Sequence, residues 1–121
     1  MDYSPELIDE LEAASADSLI SLYIPRNKST FDVIAQLRNE SYVASNIKDA
    51  NAKQHIQSAI RLMINRLNEL ASLPDNGLVM FSGCYGKDSA VRLHTINPPK
   101  SVTFSLYRCD NHFTVRREVM D

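Results

Sequence analysis

Asn46-Ile47-Lys48-Asp49 opens a run that continues as Ala50-Asn51-Ala52-Lys53-Gln54-His55-Ile56 and stays polar and apolar by turns as far as Leu73. Within it Ile56, Ile60, Met63, Ile64, Leu67 and Leu70 recur at three- and four-residue steps, the repeat of a helix with one buried face. The spacing predicts one long helix from about Ile47 to Leu73. Asn46 is a good N-cap, because its side-chain oxygen accepts a backbone N–H that the first turn leaves unpaired. Asp49, three residues on, reads as a capping-box variant whose charge suits the positive end of the helix dipole. Asn51 and Asp49 are weak helix formers, so the turns before Lys53 are expected to be adjustable. Ile47 and Lys48 then sit at a fixed helix tip, one apolar and one cationic. Such a tip suits contact with an anion or a nucleotide, although most tips of this kind only cap their helices.

Working outward, Glu6 to Ala14 reads as a short amphipathic helix with Leu7, Ile8 and Leu11 on one side. Leu19 to Ile24 is rich in strand formers, and Pro25 stops it. Ser29 or Thr30 caps a second helix through about Asn39 that buries Val33, Ile34 and Leu37. Glu40 to Ser45 connects this helix to the long one. Pro74-Asp75-Asn76-Gly77 ends the long helix by turn chemistry, and Leu78 to Phe81 is an apolar strand. Ala90 to Ile96 alternates, with Val91, Leu93 and Thr95 opposite Arg92, His94 and Ile96. After the linker Asn97-Pro98-Pro99-Lys100, Val102 to Cys109 alternates again. Val102, Phe104, Leu106 and Arg108 fall on one face, and Ser105, Tyr107 and Cys109 on the other. Asp110-Asn111 reads as a turn, and the tail from Thr114 either extends a strand or begins a helix. The sum is an α+β fold: a mixed sheet of about four strands packed against helices, with a projecting helical hairpin that carries Asn46-Ile47-Lys48.

The chain has 121 residues, 44% of them apolar, which suits one domain over residues 1–121 with a true core. Its formal net charge of -2 and sequence pI near 5.9 argue against a general nucleic-acid binder, which is usually strongly basic. The charge is uneven, however. Asp2, Glu6, Asp9, Glu10, Glu12 and Asp17 meet no Lys or Arg in residues 1–20. Lys48, Lys53, Arg61 and Arg66 face Asp49 alone in residues 46–66. One helix is thus locally cationic on an acidic domain, for which an ordinary solvated face is the plain alternative. No apolar run approaches the ~20 residues that span a bilayer. The acidic N-terminus is unlike a signal peptide. Two cysteines, Cys84 and Cys109, suit a reducing, cytoplasmic setting. His55, His94 and His112 have no metal-ligand spacing with them, so no metal or cofactor is expected. Gly83-Cys84-Tyr85-Gly86 lacks the Lys-Ser/Thr pair of a phosphate loop, and Asp9 and Glu10 sit on a solvated helix face.

Two segments carry a family likeness. Val43-Ala44-Ser45-Asn46-Ile47-Lys48-Asp49 and Tyr107-x-Cys109-x-x-x-Phe113 resemble the TASNIKS and YxCxxxF hallmarks of the N-terminal domain of eukaryotic and archaeal class-1 peptide-chain release factors. The strand Leu19 to Pro25 and the turn Pro74 to Gly77 are similar to the family as well, so the likeness runs from about Ser18 to Phe113. It implies a domain that recognises mRNA stop codons in the decoding centre of the ribosomal small subunit. It also implies a translational GTPase, engaged through other domains.

Reading a stop codon means reading three single-stranded bases by their edges and faces. Glu40 can accept from an exocyclic amine, and Ser45 and Asn46 are small donors and acceptors. Lys48 can donate to a uracil carbonyl or reach a phosphate. Tyr107 adds a hydroxyl on an aromatic plane, and Cys109 is small enough for a base to come close. With Ile47, Asp49 and Phe113, the last more a brace than a contact, these form the implied RNA-binding set. Against it stand plain readings: an exposed Glu40, a half-buried Tyr107, and Cys109 as a small hydrophobe.

The chain departs from the family pattern at Ala16-Asp17-Ser18, where Gly-Thr-Ser is usual, and at Val43 and Asp49, where Thr and Ser are usual. Two positions commonly basic after the motif are Ala50 and Lys53. These departures make Asp17, Ser18 and Val43 modulators of specificity and bear on the codons read more than on the fold. Release factors of this family hydrolyse peptidyl-tRNA through a Gly-Gly-Gln loop on a middle domain, and no Gly-Gly-Gln occurs in this sequence. The resemblance therefore implies a non-enzymatic decoding domain, either excised or naturally alone. A ribosome-associated regulator that occupies the decoding site without releasing peptide is the second reading, and a protein-interaction module using the acidic first helix the third.

Overall fold

The computed structural model describes residues 3–86 and 90–121, so Asp2 of the acidic run lies outside the described residues. The elements run α1 (Pro5–Ala13), β1 (Ser15–Ile24), α2 (Thr30–Ala44), α3 (Ala50–Asn68), β2 (Leu78–Cys84), β3 (Val91–Ile96), β4 (Leu106–His112) and α4 (Arg117–Met120). One four-stranded sheet has the order β3-β2-β1-β4. The α+β class with a helical hairpin is as the sequence predicts, but the sheet is not mixed: all three ladders are antiparallel. The reason lies in the connection from β1 to β2. A single crossover helix would deliver a parallel strand. Two helices folded into a hairpin return the chain to the end it left, so Leu78 pairs with Ile24.

Both faces of the sheet are covered. On one, α2 and α3 set Val33, Leu37, Ile60, Met63 and Leu67 against Ile20, Leu22, Ile24 and Met80. On the other, α1 and the C-terminal segment set Ile8, Leu11, Val119 and Met120 against Leu19, Tyr23, Phe81 and Ile96. This double cover explains why β1 from Ser18 and β2 as far as Gly83 are buried without a break, serines included, while β3 and β4, at the edges, are more exposed. Gly77, at φ +87°, closes the turn after α3, where its N–H donates to the Pro74 carbonyl at 3.0 Å. A Cβ there would lie 2.3 Å from the Ile24 carbonyl oxygen, so the close approach of this turn to β1 requires glycine.

Several boundaries move. Helix α2 does not stop near Asn39 but continues to Ala44, which is buried against α3, so Glu40 is helical and not part of a connection. Helix α3 starts at Ala50, and its cap is Asp49, not Asn46. It ends at Asn68, short of Leu73. Strand β1 begins four residues earlier than Leu19, and β2 runs three residues past Phe81. Strand β4 starts at Leu106, and Asp110-Asn111 is strand, not turn. These two residues lie where the β1–β4 register shifts between Ser15 and Leu19. There Asp110 accepts from the Asn111 N–H at 2.8 Å, a local side-chain bond of the kind that in isolation signals a turn. The tail forms the short helix α4.

Candidate nucleic-acid interface

The turn between α2 and α3 is built by its own backbone. The N–H groups of Ser45, Asn46 and Ile47 donate to the carbonyls of Tyr42, Val43 and Ala44 at 3.0, 3.1 and 3.0 Å, closing the end of α2. Ser45 Oγ also donates to the Tyr42 carbonyl at 2.5 Å. Asp49 then caps α3, accepting from the N–H groups of Asn51 at 2.9 Å and Ala52 at 3.3 Å. Asn46 is thereby released from the capping role its residue type suggests, and its side chain is exposed. Ile47 packs partly against the hairpin core, an anchor that leaves Asn46 and Lys48 outside. Sequence reasoning placed these residues on the first turn of a long helix; they form the loop before it.

A second wall lies on β4 and the strand beside it. In register, Tyr107 pairs with Leu22 and Cys109 with Ile20. Leu22 and Ile20 belong to the core beneath the hairpin, and Tyr107 packs against that core. Tyr107 and Cys109 therefore rise on the hairpin side of the sheet. Burial pushes the Tyr107 hydroxyl up, with the charges of Cys109 and Glu40 adding to it. Cys109 is exposed as a residue, yet its protein surroundings raise the thiol first, ahead of the carboxylates of Asp110, Asp17 and Glu40. Strand β4, helix α2 and strand β1 thus each carry a carboxylate near enough for its charge to act on one thiol. Such a wall accepts hydrogen bonds and repels phosphate, so base amines suit it better than a nucleic-acid backbone.

The tip and the Asp110 end of the second wall share an end of the sheet. His55 Nδ1 lies 3.4 Å from Asp17 Oδ1, which ties the first part of α3 to the start of β1. Ala50 is about 8 Å further along the helix axis than His55. The 46–49 turn therefore projects beyond the end of the sheet that Asp17 and Asp110 occupy. Among the residues singled out in the sequence, Glu40, Tyr107, Cys109 and Asp17 meet electrostatically. Val43 is 52% exposed at the end of α2.

Two of the residues singled out, one from the RNA-binding set and one specificity modulator, are not on the surface. Phe113 is 5% exposed and packs in the opposite core, against Phe81 at 5.3 Å and Tyr85 at 5.6 Å between ring centroids. It braces the end of β4 and cannot touch a base. Ser18, at 3% exposure, offers nothing to a ligand through its side chain. Sequence reading missed Asp110, His55 and the 74%-exposed Tyr42. Extending α2 through the 40–45 stretch would have put Tyr42 on an outer helical face; nothing in the sequence signals the Asp17–His55 contact. Among the described residues no group of three or more His, Cys, Asp or Glu is placed to hold a metal ion, and no helix is long and apolar enough to cross a membrane.

The family model described as eRF1 domain 1 matches residues 5–119. Peptide chain release factor subunit 1 of Methanopyrus kandleri is 38% identical over 112 residues, which cover 89% of this chain and 27% of that protein. Peptide chain release factor subunit 1-1 of Methanosarcina acetivorans is 39% identical over 98 residues, 78% of this chain and 24% of that protein. The chain thus spans about a quarter of the length of these relatives. A solved structure described as archaeal translation termination factor, aRF1, superposes with a TM-score of 0.82 at 34% identity, covering 90% of this chain and 31% of that one. Another, described as an archaeal protein, reaches 0.85 at the same identity, covering 90% and 32%. A match that takes in every element from α1 to α4, with a shared architecture at this identity, makes the chain a member of the eRF1 domain 1 family.

Proposed function

We propose that residues 1–121 act in the cytoplasm as one decoding domain in translation termination, reading an mRNA stop codon in the small-subunit decoding centre. The observation that carries this is the convergence of two distant segments. The turn that exposes Ser45, Asn46 and Lys48 projects past the end of the sheet marked by Asp17 and Asp110, and from Asp110 strand β4 leads through Cys109, which feels the Glu40 carboxylate, to Tyr107. Stop codons begin with uracil and continue with purines. Lys48 suits the uracil carbonyl, and Glu40 an exocyclic purine amine. Asn46 and Ser45 complete the edge contacts, and Tyr107 supplies the plane. Asp49 serves as scaffold, because its carboxylate is occupied by the α3 cap. Phe113 supports β4 from beneath. Asp17 and Val43 tune codon choice, while the buried Ser18 acts only through the strand it sits in: Asp17 brings a carboxylate beside His55, and Val43 an apolar side chain where a hydroxyl is usual.

The chain does not itself hydrolyse peptidyl-tRNA, since it contains no Gly-Gly-Gln. A translational GTPase would engage through other domains of a release factor. The test is a chimera in which this chain replaces the N-terminal domain of a release factor. It should release peptide on stop codons, and Lys48→Ala should weaken codon-dependent engagement by about 1–3 kcal/mol with little change in melting temperature. Release on none of UAA, UAG and UGA, with the chimera folded, would refute the reading. Equal release on all three would show that Asp17 and Val43 do not tune codon choice. Codon-blind ribosome binding would favour a regulator that occupies the site, and no ribosome binding a protein-interaction module.

A further inference from the structure

On the outer side of the hairpin, away from the carboxylate wall, α2 and α3 enclose an open groove of about 380 Å³ lined by Arg38, Ser41, Gln57, Ile60, Arg61 and Ile64. Gln57 Nε2 donates to the Ser41 carbonyl at 3.2 Å and staples the two helices together at its floor. No carboxylate lines the groove. Both arginines are exposed, and among the described residues neither forms an ion pair or a side-chain hydrogen bond. Arg66, by contrast, holds Glu69, and Arg117 holds Asp9 and Glu12, whereas the exposed Arg26 and Arg108 also lack ion pairs among the described residues but do not line this groove.

The cationic surface continues toward the tip. Lys53, Gln57 and Arg61 follow at four-residue steps on one face of α3, about 12 Å from first to last. Tyr42 lies one turn beyond Arg38 on α2 and is 74% exposed. We infer that this groove binds the phosphate backbone of RNA, with Arg38 and Arg61 as its paired anion ligands and no part in reading sequence. Charge complementarity supplies the argument: two unpaired guanidinium forks, without a competing carboxylate, on a chain whose net charge is -2. The exposed Tyr42 ring favours RNA over an acidic protein, since a base can stack on it. The inference rests on the decoding role only for the identity of the RNA as ribosomal. The groove would be a salt-sensitive holdfast that orients the hairpin while its tip meets the codon.

The test uses the full chain and its Arg38→Ala/Arg61→Ala variant, with Arg38→Lys/Arg61→Lys as the charge-conserving control. Binding is measured to a fluorescein-labelled RNA hairpin and to small ribosomal subunits programmed with a stop or a sense codon, across a salt series. The alanine variant should bind the RNA hairpin several-fold more weakly. Its dependence of log affinity on log salt should be shallower by about 1.4–1.8, two phosphate contacts' worth. The lysine variant should keep most of the slope, and neither variant should alter the stop-to-sense ratio or the melting temperature. Unchanged affinity and slope on the RNA hairpin would overturn the inference. So would a loss seen on subunits but absent on naked RNA, which would assign the groove to an acidic protein. A stop-to-sense ratio of one for the unmodified chain would refute codon reading and leave the slope on naked RNA to judge the groove.

Discussion

Replacing Tyr23 with phenylalanine should destabilise the chain by about 2–3 kcal/mol without disturbing its surface. Tyr23 is 1% exposed. Its ring lies between Phe81, edge-on at 6.0 Å, and Phe104 at 5.4 Å. Phenylalanine fills the same ring volume, so no large cavity forms. What is lost is the hydroxyl, which donates to the Thr114 carbonyl at 2.5 Å and accepts from the Arg116 N–H at 2.8 Å. Each bond is worth about 0.5–1.5 kcal/mol net, and a partner stranded away from water costs more. Thr114 and Arg116 are half-buried, so water recovers part of that cost.

The same hydroxyl gives an alkaline signature. Burial pushes its pKa from 10.0 up to about 12, opposed by the Arg116 N–H and the Arg116 charge. The unfolded chain therefore ionises first. The stabilisation is complete below pH 10 and is lost as pH rises toward 12. Urea denaturation followed by circular dichroism, at neutral pH and through that alkaline window, should show a wild-type decline that Tyr23→Phe lacks in part. A neutral-pH cost under about 0.5 kcal/mol, or identical alkaline declines, would show that the hydroxyl is not what ties residues 114–116 to the sheet.

Three further outcomes are expected. Asp49→Ala should cost about 1 kcal/mol and expose the Asn51 and Ala52 amides to hydrogen exchange, whereas Asp49→Ser should keep most of the cap; equal losses for both would dismiss the capping role. Gly83→Ala should cost about 1–3 kcal/mol in thermal or urea unfolding, because its Cβ would stand 2.7 Å from Leu19 Cδ2 and 2.9 Å from the Ser18 carbonyl oxygen; no measurable loss would mean that β1 yields easily there. Cys109 should react with iodoacetamide more slowly than an ordinary exposed thiol at mildly alkaline pH, and Asp110→Asn should speed it, since burial and the neighbouring carboxylates keep the thiol protonated; no acceleration would remove Asp110 from that field.

Periodicity carried the fold furthest where burial is one-sided. Ile56, Ile60, Met63 and Leu67 announce α3 and are all buried. Alternation in β3 and β4 sorted Val91, Leu93 and Tyr107 from Ile96 and Leu106 onto the correct faces. It failed at the start of β1, where Ser15, Ala16 and Asp17 have no apolar repeat because that end of the strand is partly exposed. Cap placement was ambiguous for a local reason. Asn46 and Asp49 are both good caps, and only the bonds closing α2 decide between them. The antiparallel sense of β2 was illegible because it depends on α2 and α3 folding back as a pair. The family motifs single out Lys48, Tyr107 and Cys109 as candidates, while the packing of Phe113 into the far core needed the three-dimensional structure.

That register bears on how this sequence can change over time. Between Leu106 and Asp110, before the register shift, each residue is committed to one side of the sheet. Adding or deleting one there would turn Tyr107 and Cys109 into the far core and bring Leu106 out. The stretch 97–105 has no ladder partner to keep in step. Length differences among descendants of this chain should therefore collect before Leu106 and stop there, so that the spacing from Tyr107 to Asp110 is held by the ladder itself.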